Sequence, residues 1–370
     1  MDSSTDEVHA SLRDFMDNAL AGLAKQGFKE LADRSGVVDA VDAVKPYKNR
    51  NAYILLCMLK KRLQLKGKGI ETLITPLCCA QVGIGGVENV HSEIRERGAV
   101  CYVDRCTYGD AIPEFCVVIS HYTADIICDA LNPEYECIWT HHLANGDPYD
   151  RYIYRKKAEH YANLDDLGKT ILTIPKMDVP KKEERELRDY VLNNVLDAVV
   201  EGFIDLHGSE KTLEVLVPMA KRIGLEAGDR LARQNPEMKN DASTIGHLID
   251  MLGQSTMQRG SVQHLSEDEL CKEVTDCPFQ TFTYEMCKLL EALLQGVVQS
   301  LNPDLDFSYD SMMTRGEHVC RWHVRSKDAI PISIQVEHGV ADPLAVLRMR
   351  LAKGEIDMDE FNEIRALIAR

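Results

Sequence analysis

The chain reads as an α+β protein of two tandem homologous domains, each a set of helices followed by a small antiparallel sheet, with a helical hairpin after them. Three observations predict this. Two cysteine-bounded segments, CTYGDAIPEFC (Cys106–Cys116) and CPFQTFTYEMC (Cys277–Cys287), share a gap of nine residues. Each is followed by an apolar run and then by LNP, in ALNPEYE and SLNPDLD. From each LNP asparagine it is fourteen residues to a glycine, Asn132 to Gly146 and Asn302 to Gly316, and a strand-like close follows: GDPYDRYIYRKK and GEHVCRWHVRSK.

The elements justify themselves in chain order. LRDFMDNAL (Leu12–Leu20) resembles LRDYVLNNVL (Leu187–Leu196) at an offset of 175 residues, against 171 at the cysteines. Ordered matches at a nearly constant offset mark an internal repeat, with copies at 1–160 and 181–330. The early part of each copy reads helical, as in VLNNVLDAVVEGFIDLH, whose apolar residues fall three and four apart. VGIGGVEN (Val82–Asn89) lacks the third glycine of a dinucleotide fingerprint and reads as a loop or helix start. After LNP come two strand pairs, YECIWTHHL with YDRYIYR and DFSYDSMMT with VCRWHVR, turning at Asn145–Gly146 and Arg315–Gly316. Prolines 175 and 180 and a charge run suit a linker over 161–180. At 340–370, two short amphipathic helices are expected, separated at Gly354, the second capped by Asp357. Such a pair has too little core to stand alone, so docking or homo-oligomerisation is expected.

Composition narrows the partners. A chain of 370 residues with 45% hydrophobic and 28% charged residues can bury a sizeable core. A formal net charge of −16 argues against nucleic acid and against an anionic membrane surface. The acidic first residues do not resemble a signal peptide, and no apolar run reaches a membrane span, so a cytoplasmic location is expected. The twelve cysteines then read as free thiols. Cys57, Cys78, Cys79, Cys128 and Cys137 sit in apolar runs and read as packing.

The chemistry-bearing candidates lie in the repeated segments. In the second copy, Cys277, Glu285, Cys287 and Cys320 could hold zinc or another divalent metal, although a nine-residue gap is not a zinc-finger spacing. The first copy has Asp150 where the second has Cys320. Alternatively, Cys116 and Cys287 open helix-like runs, where a thiol is activated as a nucleophile, with Glu114 and Glu285 two residues before. His121, His141 and His142 in the first copy, and His318 and His323 in the second, are candidate bases. Buried packing is the third alternative.

The order of CTYGDAIPEFC, ALNPEYE and NGDPYDRYIYRKK resembles the L-2-amino-thiazoline-4-carboxylic acid hydrolase family. The second copy keeps CPF, the second cysteine, LNP and the glycine, but has Glu317 in place of the family's aspartate. The resemblance implies water addition at the C=N carbon of a cyclic amidine, then ring opening. It implies Cys106 or Cys116 as nucleophile, with Glu114 and Asp147 in acid–base or orienting roles. Cys277, Glu285, Cys287 and Cys320 would form the corresponding second site. Asn132, Asn302, His121 and His142 would bind substrate, and Arg151 and Arg321 would anchor its carboxylate. The glycine-then-cysteine hairpin also resembles the 4-vinyl reductase type of domain, which implies a small-molecule or zinc-binding module. The C-terminal pair resembles the SHOCT domain.

Overall fold

The computed structural model describes residues 3–63, 69–158, 164–175, 179–256, 258–266, 268–277, 279–280 and 282–328. The helical pair expected at 340–370 lies outside these residues. The protein is α+β with two antiparallel sheets and divides into two units. The first spans Leu20–Ser209; the second is drawn from residues before 20 and after 209.

The first unit begins within α1 (Ser3–Ser35), whose part from Leu20 on buries Leu23, Ala24, Phe28 and Leu31, a face at three- and four-residue spacing. Gly36 ends it at φ 91°, a left-handed conformation that a Cβ would strain, and α2 (Val37–Leu63) follows at once. After α3 (Ile70–Gly85) come β1 (Val90–Arg95) and β2 (Gly98–Val103). The cysteine segment then leads into α4 (Pro113–Cys116), a π turn at Val117–His121, and α5 (Tyr122–Leu131). With β3 (Tyr135–His141), β4 (Asp150–Lys156) and β5 (Thr170–Ile174), the sheet has the order β3-β4-β2-β1-β5. One sheet face carries Val100 and Ile153, covered by Leu164 and Leu167. Residues 170–174, inside the stretch expected as a linker, are thus an edge strand of the first sheet.

The long α6 (Lys181–Gln234) belongs to the first unit until Gly208 breaks it at φ 78°. A polar ladder fastens it to α2: Arg50 with Glu201 at 2.6 Å, Asn51 Nδ2 to Asn194 O at 3.1 Å, and Arg62 with Glu186 at 2.5 Å. Of the two segments whose sequences match, Leu187–Leu196 lies in the first unit, and Leu12–Ala19 of its counterpart lies in the second. The compact units are therefore not bounded like the sequence copies.

The second unit takes the part of α1 before Leu20 and the rest of α6, then α7 (Ala242–Ser255), β6 (Arg259–Ser266), β7 (Glu269–Asp276), α8 (Tyr284–Leu301), β8 (Leu305–Ser311) and β9 (Cys320–Ser326). Asp241 caps α7 by accepting the Thr244 N–H at 2.7 Å, and Thr283 caps α8 by accepting that of Met286 at 3.2 Å. The sheet order is β6-β7-β9-β8.

Helix, hairpin, helix, hairpin recurs in both units. The recurrence extends to a ladder irregularity at Trp139/His141 and Tyr309/Ser311, and to left-handed glycines at Gly146 and Gly316. The β1–β2 and β6–β7 hairpins are additions to the sequence expectation, and VGIGGVEN is the end of α3 plus a 3-10 turn at Val87–Asn89. Cys57, expected as packing, is exposed, because it falls on the solvent side of α2; Cys78, Cys79, Cys128 and Cys137 are buried as expected.

Candidate functional site

Register builds the site in the first unit. Val103 ends β2 and pairs with Asp150, the first residue of β4. Cys106, three residues past Val103, comes under the field of the Asp150 carboxyl, and so does Cys116. Tyr108 ties the thiols together: its N–H donates to Cys106 Sγ at 3.3 Å, and its carbonyl accepts from Cys116 Sγ at 3.4 Å. The Tyr108 ring is unexposed and meets that of Phe115 edge-on at 5.4 Å. Thr107 secures the segment to the end of α3, donating its N–H (3.0 Å) and Oγ1 (2.7 Å) to Ile84 O.

Burial sets the protonation states. It pushes the Cys106 thiol up to about 12, the negative charge of Asp150 adding to the effect. Cys116 is pushed far above the ordinary thiol value, first by burial and then by Cys106 and Asp150. Both are neutral thiols near pH 7. Asp150 is pushed up to about 6 by burial, against the Leu143 N–H that it accepts at 2.8 Å. Of Cys106, Cys116 and Asp150, it is the carboxyl, which the sequence aligned with Cys320, that changes charge close to neutrality.

The second unit repeats the scaffold with sulfur in place of the acid. Val274 pairs with Cys320, the first residue of β9, and the Met313 N–H donates to Cys320 Sγ at 3.2 Å. Cys277 accepts the Phe279 N–H, as Cys106 accepts that of Tyr108, and its thiol is hydrogen-bonded to Cys320. That bond and the Met313 N–H lower the Cys320 pKa, while Cys277 is raised. Cys277, Cys287 and Cys320 line one small pocket with Phe279, Tyr309 and Met312.

The remaining candidates separate from the cysteines. Glu114 is exposed on the first turn of α4, and half-buried Glu285 stands in the first turn of α8. Asp147 accepts the His142 N–H at 2.8 Å and closes the β3–β4 turn, as Glu317 does with Met312 at 3.1 Å. Asn132 and Asn302 terminate their helices, and each accepts the N–H two residues on, at 3.1 and 2.9 Å. Arg151 and Arg321 follow Asp150 and Cys320 directly, so strand alternation turns them to the other sheet face. There Arg151 donates to Thr140 at 2.8 Å and Arg321 pairs with Glu273 at 2.6 Å. His121 pairs with Asp125 at 3.1 Å, which raises its pKa; His142 stacks on Trp139 at 3.8 Å, and burial lowers it. His141 stacks on Tyr149 and His318 is exposed, whereas buried His323 sits between Glu269 (2.8 Å) and Asp310 (2.7 Å).

Three thiols on one pocket are a donor set that soft metals accept. Among the described residues, however, no group of three or more His, Cys, Asp or Glu side chains is gathered so as to hold a metal ion. No helix among the described residues is long and apolar enough to cross a membrane. Comparison of the chain with protein families, curated proteins and solved structures finds no match.

Proposed function

We propose that the chain is a tandem duplication of a hydrolase-like module, whose first unit opens a cyclic amidine or related C–N bond in a small carboxylate-bearing heterocycle of the thiazoline type. The observation that carries this reading is Asp150, a buried carboxyl at about 6 set among neutral thiols. A general base works best when its pKa lies near the working pH. As carboxylate, Asp150 takes a proton from water while the water oxygen adds to the C=N carbon. As carboxylic acid, it gives that proton to the former C=N nitrogen, and as the hydroxyl loses its proton to form C=O, the same carboxyl carries this second proton to the ring atom whose bond to that carbon breaks. One water is consumed and Asp150 regains its charge. Cys106 and Cys116 act as hydrogen-bonding walls, because a protonated thiol is a poor nucleophile. The purified chain is expected to turn over 2-amino-thiazoline-4-carboxylate or a related cyclic amidine, with Asp150→Asn slowed at least about a hundredfold and Cys106→Ser and Cys116→Ser within about tenfold of the native rate. Absence of turnover across a panel of cyclic amidines contradicts the reading.

The cysteine pocket of the second unit favours a second reading, a non-catalytic small-molecule module of the 4-vinyl reductase type. Calorimetric titration with the same heterocycles tests it: binding that survives Asp150→Asn and is lost on Met312→Trp, which fills the pocket, supports it, and binding lost with Asp150 opposes it. Elemental analysis of the purified chain decides whether zinc accompanies that pocket.

A further inference from the structure

Away from the cysteines, two imidazoles meet at the surface of the second unit. His247 stands on α7 and His264 on the edge strand β6, and both are exposed. Their Nε2 atoms are 3.2 Å apart and their ring centroids 5.1 Å, with the ring planes at 57°. The backbone brings them together. A Cβ on Gly246 would stand 2.9 Å from Leu270 Cβ, so α7 lies directly on the sheet there, and Leu270 is the ladder partner of His264. The residue after Gly246 therefore reaches the residue beside Leu270. His247 is the sixth residue of α7 as Thr75 is of α3, and His264 faces Leu270 as Ile94 faces Ala99. The first unit thus has an imidazole at neither position.

We infer that His247 and His264 chelate one zinc ion between helix and strand, with water on its two remaining positions. Two imidazoles on a tetrahedral zinc, each bound at about 2.05 Å, hold their nitrogens about 3.3 Å and their ring centroids about 5.2 Å apart. Both separations in the protein agree with this to about 0.1 Å. A square-planar ion would need about 2.9 and 4.5 Å, which the pair does not offer. A straight N–H···N hydrogen bond of the same length would set the centroids about 5.5 Å apart, so the ring axes are bent as a shared ion requires. Each ring binds through the lone pair of Nε2, and the ring that donates in the metal-free pair carries its proton on Nδ1 instead. Imidazole nitrogen suits zinc, whereas magnesium and calcium take oxygen. Because α7 and β6 are regular elements of one unit, the ion can enter with little movement of either. With two protein donors the ion keeps an open face, unlike a closed structural site. This site is separate from the hydrolysis proposed for the first unit and does not rest on it.

The test acylates the metal-stripped full-length chain with diethyl pyrocarbonate, with and without zinc chloride, and maps the modified histidines by peptide mass. Zinc should slow acylation of His247 and His264 at least about tenfold and leave exposed His318 unchanged, and magnesium should slow neither. Both residues of the pair are exposed, so His247→Gln and His264→Gln should fold as the native chain does, which circular dichroism checks. Either change should abolish the zinc protection of the other histidine. In a titration against a chromophoric chelator, the double variant should bind one zinc fewer per chain than the native protein, whatever the cysteines bind. Equal acylation with and without zinc, protection of one histidine that survives loss of the other, or an unchanged zinc count would each overturn the inference.

Discussion

The backbone N–H of Leu143 donates to Asp150 Oδ1 at 2.8 Å, and in the second unit the N–H of Met313 donates to Cys320 Sγ at 3.2 Å. Both acceptors open the last strand of their hairpin, and both face a valine across the ladder, Val103 and Val274. One backbone position thus carries a carboxyl in one unit and a thiol in the other. The carboxyl at that position has its pKa raised to about 6 by burial, and the thiol there is hydrogen-bonded to a second thiol, Cys277. The scaffold is shared and the chemistry it supports differs.

Asp150 should cost stability at neutral pH. Unfolded, this carboxyl releases its proton near 3.8; folded, it keeps it to about 6. Its favourable contribution is therefore complete below 3.8 and lost as pH rises through 6. Asp150→Asn should match the native chain near pH 4 and exceed it by about 2–3 kcal/mol at pH 8. Urea unfolding of both proteins at the two pH values checks this.

Cys106 should alkylate slowly despite being only half-buried. At pH 8 a thiol held at about 12 is ionised roughly a thousandfold less than one at the ordinary value of 9.0. Iodoacetamide labelling read by peptide mass should show Cys106 lagging exposed Cys57 by about that factor. Equal rates would remove the argument that the first-unit thiols are neutral.

A third expectation concerns Asp250 and Lys272, an ion pair at 2.5 Å with Lys272 1% exposed. Asp250 is the ninth residue of α7, as Cys78 is of α3, and Lys272 holds the ladder position of Cys101. The first unit thus fills this helix–sheet contact with two thiols. Lys272→Cys alone should destabilise by about 3–5 kcal/mol by stranding a buried carboxylate. Adding Asp250→Cys should recover most of that loss, as measured by chemical denaturation.

Close helix packing gives a fourth. A Cβ on Gly224 would run into the backbone oxygen of Leu293, and one on Gly296 into that of Lys221. Gly224→Ala should therefore destabilise by about 2–3 kcal/mol, although alanine favours helix. Gly22, whose Cβ would meet nothing within 4 Å, should gain slightly from the same change.

What could be read from the sequence follows from how local each feature is. Asn132, Asn302, Gly146 and Gly316 were visible because turn geometry fixes their identity directly. The β3–β4 and β8–β9 hairpins were visible with them. GAVCYV was not seen as a strand because β2 is buried on both faces and shows no alternation. β5, exposed along most of its length, becomes a strand only by pairing with β1, some seventy-five residues away. The placement of Leu187–Leu196 in the first unit depends on the α2 ladder, which no local pattern records. The π turn is an intermediate case. Cys116 to Asn132 is sixteen residues and Cys287 to Asn302 fifteen, and the extra residue is absorbed where α4 meets α5. The count is in the sequence; its solution is not. Likewise the alignment of Asp150 with Cys320 was legible, while the burial that raises the pKa of Asp150 was not.

The pH dependence of kcat/KM for a cyclic amidine carboxylate, measured on the native chain and on Asp150→Asn, tests the central claim most directly. The account predicts that native activity rises with pH through about 6, that Asp150→Asn loses at least a hundredfold, and that its residual activity lacks the acid limb. An Asp150→Asn enzyme within threefold of native with the same limb, beside an inactive Cys106→Ser, would contradict it.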